Sequence, residues 1–259
     1  MSALADTHVH LLAGMDDGPP NAEIALAMCR MLVREGVTDA AAVAHQNRDY
    51  PDNHADRVYS SAVFLRAMLA DKKIPLTVYP AAEVMLSWNT PLEWRAGELL
   101  SVGDHRQWLL VEMPHGDFLD VLPLAKSLTA DGVRLIIAHA ERYEPLLDNL
   151  ELAQKWIAAG CLFQVTACAL AEPRDERLES ALKRWAQGGF IHLLGSDGHG
   201  IDQRRPQMRA GYRRLARWVG STQADRIASE WGRAVLQGRP VEVPPPQPRR
   251  VSWFSRLFG

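Results

Sequence analysis

The chain has 259 residues, 47% of them hydrophobic and 23% charged, a globular composition long enough to bury a core without covalent staples. Its 29 Lys and Arg against 31 Asp and Glu leave a net charge of −2, which argues against non-specific nucleic-acid binding because that needs a clear positive excess. Three cysteines, Cys29, Cys161 and Cys168, cannot build a disulfide framework and fit a reducing compartment.

The first residues carry neither a basic n-region nor an apolar h-region, so no signal peptide is expected. No apolar run approaches the ~18 residues of a membrane span, and a cytoplasmic protein is expected. Strand candidates follow at 4–9, 38–44, 76–82, 108–113, 133–138, 161–166 and 190–195. Each is short, apolar or β-branched, and bounded by turn residues. Between them the periodicity predicts helices near 21–35, 53–72, 117–131, 145–159 and 174–187. The first places Ile24, Met28, Met31 and Leu32 on one stripe before Gly36, a stop residue. The stretch 84–107 has no regular pattern. Two further helices are expected near 206–219 and 222–236.

Strands alternating with helices predict an α/β fold of parallel βα units, closed into a barrel or wound into an open sheet. One domain is expected over 1–239, with a boundary at Pro240. The tail, 240–259, contains Pro244-Pro245-Pro246-Gln247-Pro248, which cannot enter a sheet or helix interior. Its end, Arg249 to Phe258, is basic and aromatic. The plain reading is a flexible terminus. The sharper one is a docking peptide or a weak anchor at the inner face of an anionic membrane.

The chemistry gathers at the strand ends. In Asp6-Thr7-His8-Val9-His10, alternate residues of a strand share a face, so Asp6, His8 and His10 point together. Two imidazoles facing one space suit a metal ion, with Asp6 as a ligand or as the group that orients a histidine. The second strand ends at His45, the third at Glu83, the fourth at Glu112 and the fifth at His139; the seventh leads into Ser196-Asp197-Gly198-His199. Parallel α/β folds hold active sites at this C-terminal face. So many acids and imidazoles converging unpaired would cost several kcal/mol each, and cations remove that cost. In the loop after the first strand, Asp16 or Asp17 is a candidate additional carboxylate before the Gly18-Pro19 turn.

These segments, together with His139-Ala140-Glu141-Arg142-Tyr143, resemble the polymerase and histidinol phosphatase (PHP) superfamily. More narrowly, they resemble the bacterial PHP-type protein-tyrosine phosphatases of capsule and exopolysaccharide biosynthesis. The match runs from about residue 4 to 237. It implies a distorted TIM-like (β/α)7 barrel and three divalent ions, with Mn²⁺, Fe or Zn suiting the mixed ligands. Carried over, His8, His10, Glu83 and Asp197 would hold one ion. Glu83, Glu112 and His139 would hold a second, and Asp17, His45 and His199 a third. Asp6 and Asp16 would support them. Arg142 matches a phosphate-gripping arginine; a second falls at Arg204 or at its neighbour Arg205. Gln46 departs from the family, whose members often carry histidine or arginine after the residue matching His45. The implied nucleophile is a metal-bridged hydroxide. The implied substrate is a phosphotyrosine protein, namely the tail of a bacterial tyrosine kinase controlling polysaccharide export. A homo-oligomer is compatible with this reading.

Two alternatives remain open at the level of sequence. One keeps the site for a small phosphomonoester such as histidinol phosphate or a nucleotide. The other is a non-catalytic metal-binding adaptor. Cys168 and Arg174 have the Cys-x5-Arg spacing of cysteine-dependent phosphatases, but the intervening Glu172 would repel phosphate and Pro173 lacks an N–H. Arg48 is a candidate phosphate contact. His54, His105, His115 and His192 are expected at the surface or in packing roles.

Overall fold

The structure is a computed structural model that describes residues 3–247. Seven apolar segments become β1 (Leu4–His10), β2 (Val37–Gln46), β3 (Thr77–Met85), β4 (Trp108–Glu112), β5 (Arg134–Ile137), β6 (Leu162–Thr166) and β7 (Leu193–Gly195). They lie side by side in sequence order, every pair parallel. A single bridge between Val9 and Gly198 brings the last strand's end back to the first. Around it the Asp197 N–H donates to the His8 carbonyl at 2.7 Å and the His10 N–H to the Gly198 carbonyl at 3.0 Å. The result is a nearly closed, TIM-like barrel.

The helices form where the pattern puts them, with local chemistry setting their limits. α1 (Ala22–Glu35) is capped by the Asn21 side chain accepting from the Ile24 N–H, and stops at Gly36 at a φ of 88°. α2 spans Ala55–Asp71. The patternless stretch contains α3 (Thr90–Ala96) and a 3-10 turn at Val102–Asp104. α4 (Leu122–Ala130) is shorter than its predicted span and begins beside Pro123. The span 145–159 divides into α5 (Glu144–Asp148) and α6 (Leu150–Ala158), because Asn149 turns its side chain to cap the second. α7 (Ala167–Ala171) has no counterpart in the sequence reading; α8 (Glu176–Gly188) and α9 (Arg209–Val219) do. The last predicted helix is one run: α10 (Ser221–Asp225), a π-turn at Arg226–Glu230, and α11 (Trp231–Leu236).

Two apolar regions hold this together. One lies between the strands and the surrounding helices. The other fills the lower barrel with inward residues such as Ala5, Ala41, Ala81, Leu110 and Leu193, plugged by Val235 and Leu236 of α11. With this end filled by apolar side chains, the acids and imidazoles of the strand ends gather at the upper end. The Pro-rich segment continues along the barrel as far as it is described: Val241 is buried, and the Gln247 N–H donates to the Gly188 carbonyl at 2.9 Å. The basic, aromatic end of the tail lies outside the described residues.

Candidate active site

At the upper end, Glu83 stands at the centre. It is 1% exposed, and its register partner is His45 on β2. Its Oε2 lies 3.2 Å from His8 Nε2, 3.4 Å from His10 Nε2 and 3.2 Å from His45 Nδ1. Its Oε1 lies 2.8 Å from His139 Nε2. Four imidazoles from the ends of three strands, β1, β2 and β5, thus enclose one carboxylate. Glu112 adds a second acid, 3.4 Å from His45 Nδ1 and 3.9 Å from His139 Nε2. Asp197 Oδ1 is 3.6 Å from His8 Nε2. On the outer side, Asp17 Oδ1 approaches His45 Nε2 at 3.5 Å and His199 Nε2 at 3.3 Å.

A ring of supporting groups aims these imidazoles. Asp16 Oδ2 meets His10 Nδ1 at 2.7 Å and accepts the His45 N–H at 3.0 Å. Gln164 Oε1 meets His8 Nδ1 at 3.2 Å and accepts the His139 N–H at 2.9 Å. Tyr143 Oη faces His139 Nδ1 at 3.2 Å and accepts the Met113 N–H at 3.0 Å. In each case Nδ1 is engaged by the support and Nε2 points at the cluster, the usual division of labour for a ligating histidine. Asp6 plays a different part. Its Oδ1 accepts the N–H groups of His8 and Ser196, tying β1 to the end of β7. Burial lifts its carboxyl to about 6 against those donors. Two glycines make the close packing possible. A Cβ at Gly195 would stand 2.6 Å from Gln164 Nε2 and 2.7 Å from His8 Cβ, and one at Gly18 2.9 Å from Asp16 Oδ1.

The charges show what the cluster fits. Burial pushes His10 down, but Asp16 and Glu83 outweigh it and raise the imidazole to about 9. Burial likewise opposes protonation of His45, and Asp17 and Glu112 override it to about 11. Glu83 is driven up by burial and brought well below the carboxylate range by His8, His10 and His139. The carboxylates therefore require positive charge here. Yet His8 and His10 present their Nε2 atoms to each other at 3.2 Å, where two N–H groups would clash. His45 Nδ1, Glu112 Oε1 and His199 Nε2 are buried close to polar neighbours but aligned with none in a hydrogen bond, a costly condition for polar atoms. Divalent cations would remove both problems. Three overlapping sets have ligand atoms within 4.8 Å of one another: His10, Asp17, His45 and His199; His8, His10 and Asp197; His45, Glu83 and Glu112. The donor chemistry fits Mn²⁺, Fe²⁺ or Zn²⁺.

All nine expected ligands converge. The grouping differs: His45 faces both Glu83 and Asp17 and so stands in two sets, His10 also stands in two, and His139 lies outside all three, joined through Glu83 and Glu112. The Arg142 guanidinium pairs with Asp197. Arg204 reaches Asp17 Oδ2 at 2.9 Å and Asp197 Oδ2 at 3.3 Å. Arg205 instead turns its Nε to the Asp202 carbonyl at 3.1 Å. Arg142, Arg204 and Arg205 all line a cavity of about 400 Å³ over Asp197, with Cys168 at its wall. Arg174 pairs with Glu144 and Asp175 at the surface, so it forms no phosphate loop with Cys168. Arg48 lines a neighbouring groove rather than this cavity. His115 is exposed beside Asp49. Gln46 uses its amide to tie the Asn53 and Glu98 carbonyls to the Leu100 N–H, which accounts for a glutamine at that position. Gln164 was missed by the sequence reading; its only signal is a lone amide inside an apolar strand.

Residues 4–237 match the family described as capsular polysaccharide synthesis, CpsB/CapC. The tyrosine-protein phosphatase YwqE of Bacillus subtilis is 28% identical over 260 residues, covering 99% of both chains. The tyrosine-protein phosphatase CpsB of Streptococcus pneumoniae is 22% identical over 238 residues, covering 90% of this chain and 98% of its own. A solved structure from work on these two proteins, described as unique metal-dependent tyrosine phosphatases, superimposes with a TM-score of 0.87 at 27% identity. It covers 95% of this chain and 100% of its own.

Proposed function

The chain belongs to the CpsB/CapC capsular polysaccharide synthesis family, and from that membership and the geometry of its upper rim we propose that it is a metal-dependent protein-tyrosine phosphatase. The observation that carries the reading is the Glu83 carboxylate enclosed by four imidazoles, with unpartnered nitrogen and oxygen atoms facing the same space.

In this reading the nine residues His8, His10, Asp17, His45, Glu83, Glu112, His139, Asp197 and His199 hold three divalent ions, Mn²⁺ being the preferred candidate and Fe or Zn the others. When bound, such ions supply a water of lowered pKa and neutralise charge on phosphate oxygens. The chain's own groups do the rest. Asp16, Gln164 and Tyr143 fix the ring orientations of His10, His8 and His139. Arg142 and Arg204 place two guanidinium forks at the open side of Asp197 and Asp17, where phosphate oxygens meet fixed donors. A tyrosine phenolate, with a pKa near ~10, leaves with little acid assistance. The physiological substrate is proposed to be a phosphotyrosine protein of the capsule-synthesis system, a bacterial tyrosine kinase tail. Among the described residues no helix is long and apolar enough to cross a membrane.

The test pairs elemental analysis of the purified protein with hydrolysis of a phosphotyrosine peptide, before and after chelation and Mn²⁺ readdition. Turnover should vanish with chelator and return with metal. A metal-loaded protein that leaves aryl phosphates intact, or prefers histidinol phosphate to the peptide, refutes the reading.

A further inference from the structure

Beside the cluster, at the same end of the barrel, a groove of about 670 Å³ runs between the loops that follow β2, β3 and β4. It begins where the cluster stops. His45 pairs in register with Glu83, and the next pair, Gln46 with Val84, lines the groove. Tyr50 forms the partition: it lines the groove, and its ring stacks on the His45 imidazole with centroids 5.6 Å apart and planes 6° apart. Asn53 is shared in the same way, donating from Nδ2 to the His45 carbonyl at 2.8 Å.

The phosphoryl chemistry described above uses none of the groove's surface, yet the surface is built. Met85, Leu86 and Leu99 contribute apolar lining, and Trp88 stands at the rim with 61% of its surface in water. An indole left this exposed is a common mark of a contact surface. Its backbone is anchored on both sides: the Ser87 N–H donates to Thr90 Oγ1 at 2.9 Å and the Asn89 N–H to Ser87 Oγ at 3.1 Å. The charge is one-sided, with Glu93, Glu98 and Asp117 against Arg48.

A phosphotyrosine held at the arginines carries polypeptide on either side, and that chain must cross the rim. We propose that this groove docks the segment flanking the phosphotyrosine, taking an aromatic or aliphatic side chain against Trp88 and rejecting an acidic one. The proposal rests on the phosphatase reading and names the part of the substrate that reading leaves open. Its junction with the cluster at His45, through Tyr50 and Asn53, the anchored exposed indole and the acidic wall all point to this occupant.

The experiment compares kcat/KM on three substrates: phosphotyrosine peptides carrying Phe at one flanking position after another, the same peptides with Asp there, and p-nitrophenyl phosphate. The metal-loaded full chain is used as wild type, Trp88→Ala and Trp88→Phe. Wild type should favour Phe over Asp at one or more positions. Trp88→Ala should lower the Phe-peptide to small-ester ratio about ten-fold, through KM, as expected for losing one aromatic contact. Trp88→Phe should restore most of it. Equal loss on peptide and small ester, or no Phe-over-Asp preference in wild type, overturns the groove assignment while leaving the phosphatase reading standing. Failure of wild type to hydrolyse any of the three removes both.

Discussion

Gln164 is the sharpest place to probe how the site is held. Its Oε1 serves His8 Nδ1 at 3.2 Å and the His139 N–H at 2.9 Å, so one oxygen sets two proposed ligands. Gln164→Met keeps volume and shape while deleting that oxygen. The His139 N–H would then be buried without a partner, at about 1–3 kcal/mol of stability. His8 would lose the acceptor that fixes its ring, and supporting partners of ligating histidines are worth roughly 10–100-fold in metal affinity. The expected outcome is therefore a fall of roughly 1–3 kcal/mol in urea unfolding of the metal-free protein, with Mn²⁺ affinity weakened at least about ten-fold by calorimetric titration. At saturating Mn²⁺ most of the turnover should return. A variant that binds Mn²⁺ within two-fold of wild type would refute the claim that this amide positions the imidazoles.

Three further outcomes follow from the geometry. Arg204→Gln should raise KM for a phosphotyrosine peptide by about ten-fold or more, whereas Arg205→Gln should change it less than two-fold; steady-state kinetics on both variants decides between the neighbours. Cys168→Ser should leave kcat intact, because burial raises the thiol's pKa rather than creating a thiolate; loss of turnover with metal retained would reinstate cysteine chemistry. His192 is buried at the far end of the barrel, where burial pushes it from 6.5 to about 3. Below pH 6.5 the unfolded chain takes up a proton that the folded one refuses, so stability is full above that pH and declines towards pH 3. The slope is about 1.4 kcal/mol per pH unit, or roughly 2 kcal/mol between pH 6.5 and 5. Urea titrations of His192→Gln should show that much less loss over the same interval; identical slopes would refute it.

The strands and the positions of the converging acids and imidazoles were legible in the sequence for one shared reason. A parallel barrel buries its strands on both faces, so they read as apolar runs, and any acid or imidazole at their ends stands out. His8, His10, His45, Glu83 and Glu112 lie on or at the ends of β1 to β4, where strand logic applies. α3 was not legible because its seven residues, Thr90–Ala96, are too few to show a period. The split at Asn149 was masked by a hydrophobic stripe that continues through it. The choice between Arg204 and Arg205 was out of reach because they are adjacent on a turn, where no periodicity says which side chain faces the cluster. Gln164 was hidden for the opposite reason: it sits within a strand, and nothing in the sequence says what its amide touches.

Strand alternation brings His8 and His10 to the rim but cannot place His139 and Asp197, which each come two residues after their strands end. The structure solves this with backbone that L-residues seldom adopt. His139 has a φ of 33°, Asp197 of 52° and Arg204 of 47°. Each such residue costs on the order of 1 kcal/mol or more, and each is held by a hydrogen bond to another part of the site. Gln164 takes the His139 N–H, the His8 carbonyl takes the Asp197 N–H, and the Arg204 carbonyl takes the His199 N–H at 2.8 Å. The strain and its restraint are therefore made of the same residues as the proposed metal and phosphate contacts. Relaxing any one of these turns would release a proposed contact and its neighbour's support together, so the site is expected to open as a unit rather than residue by residue.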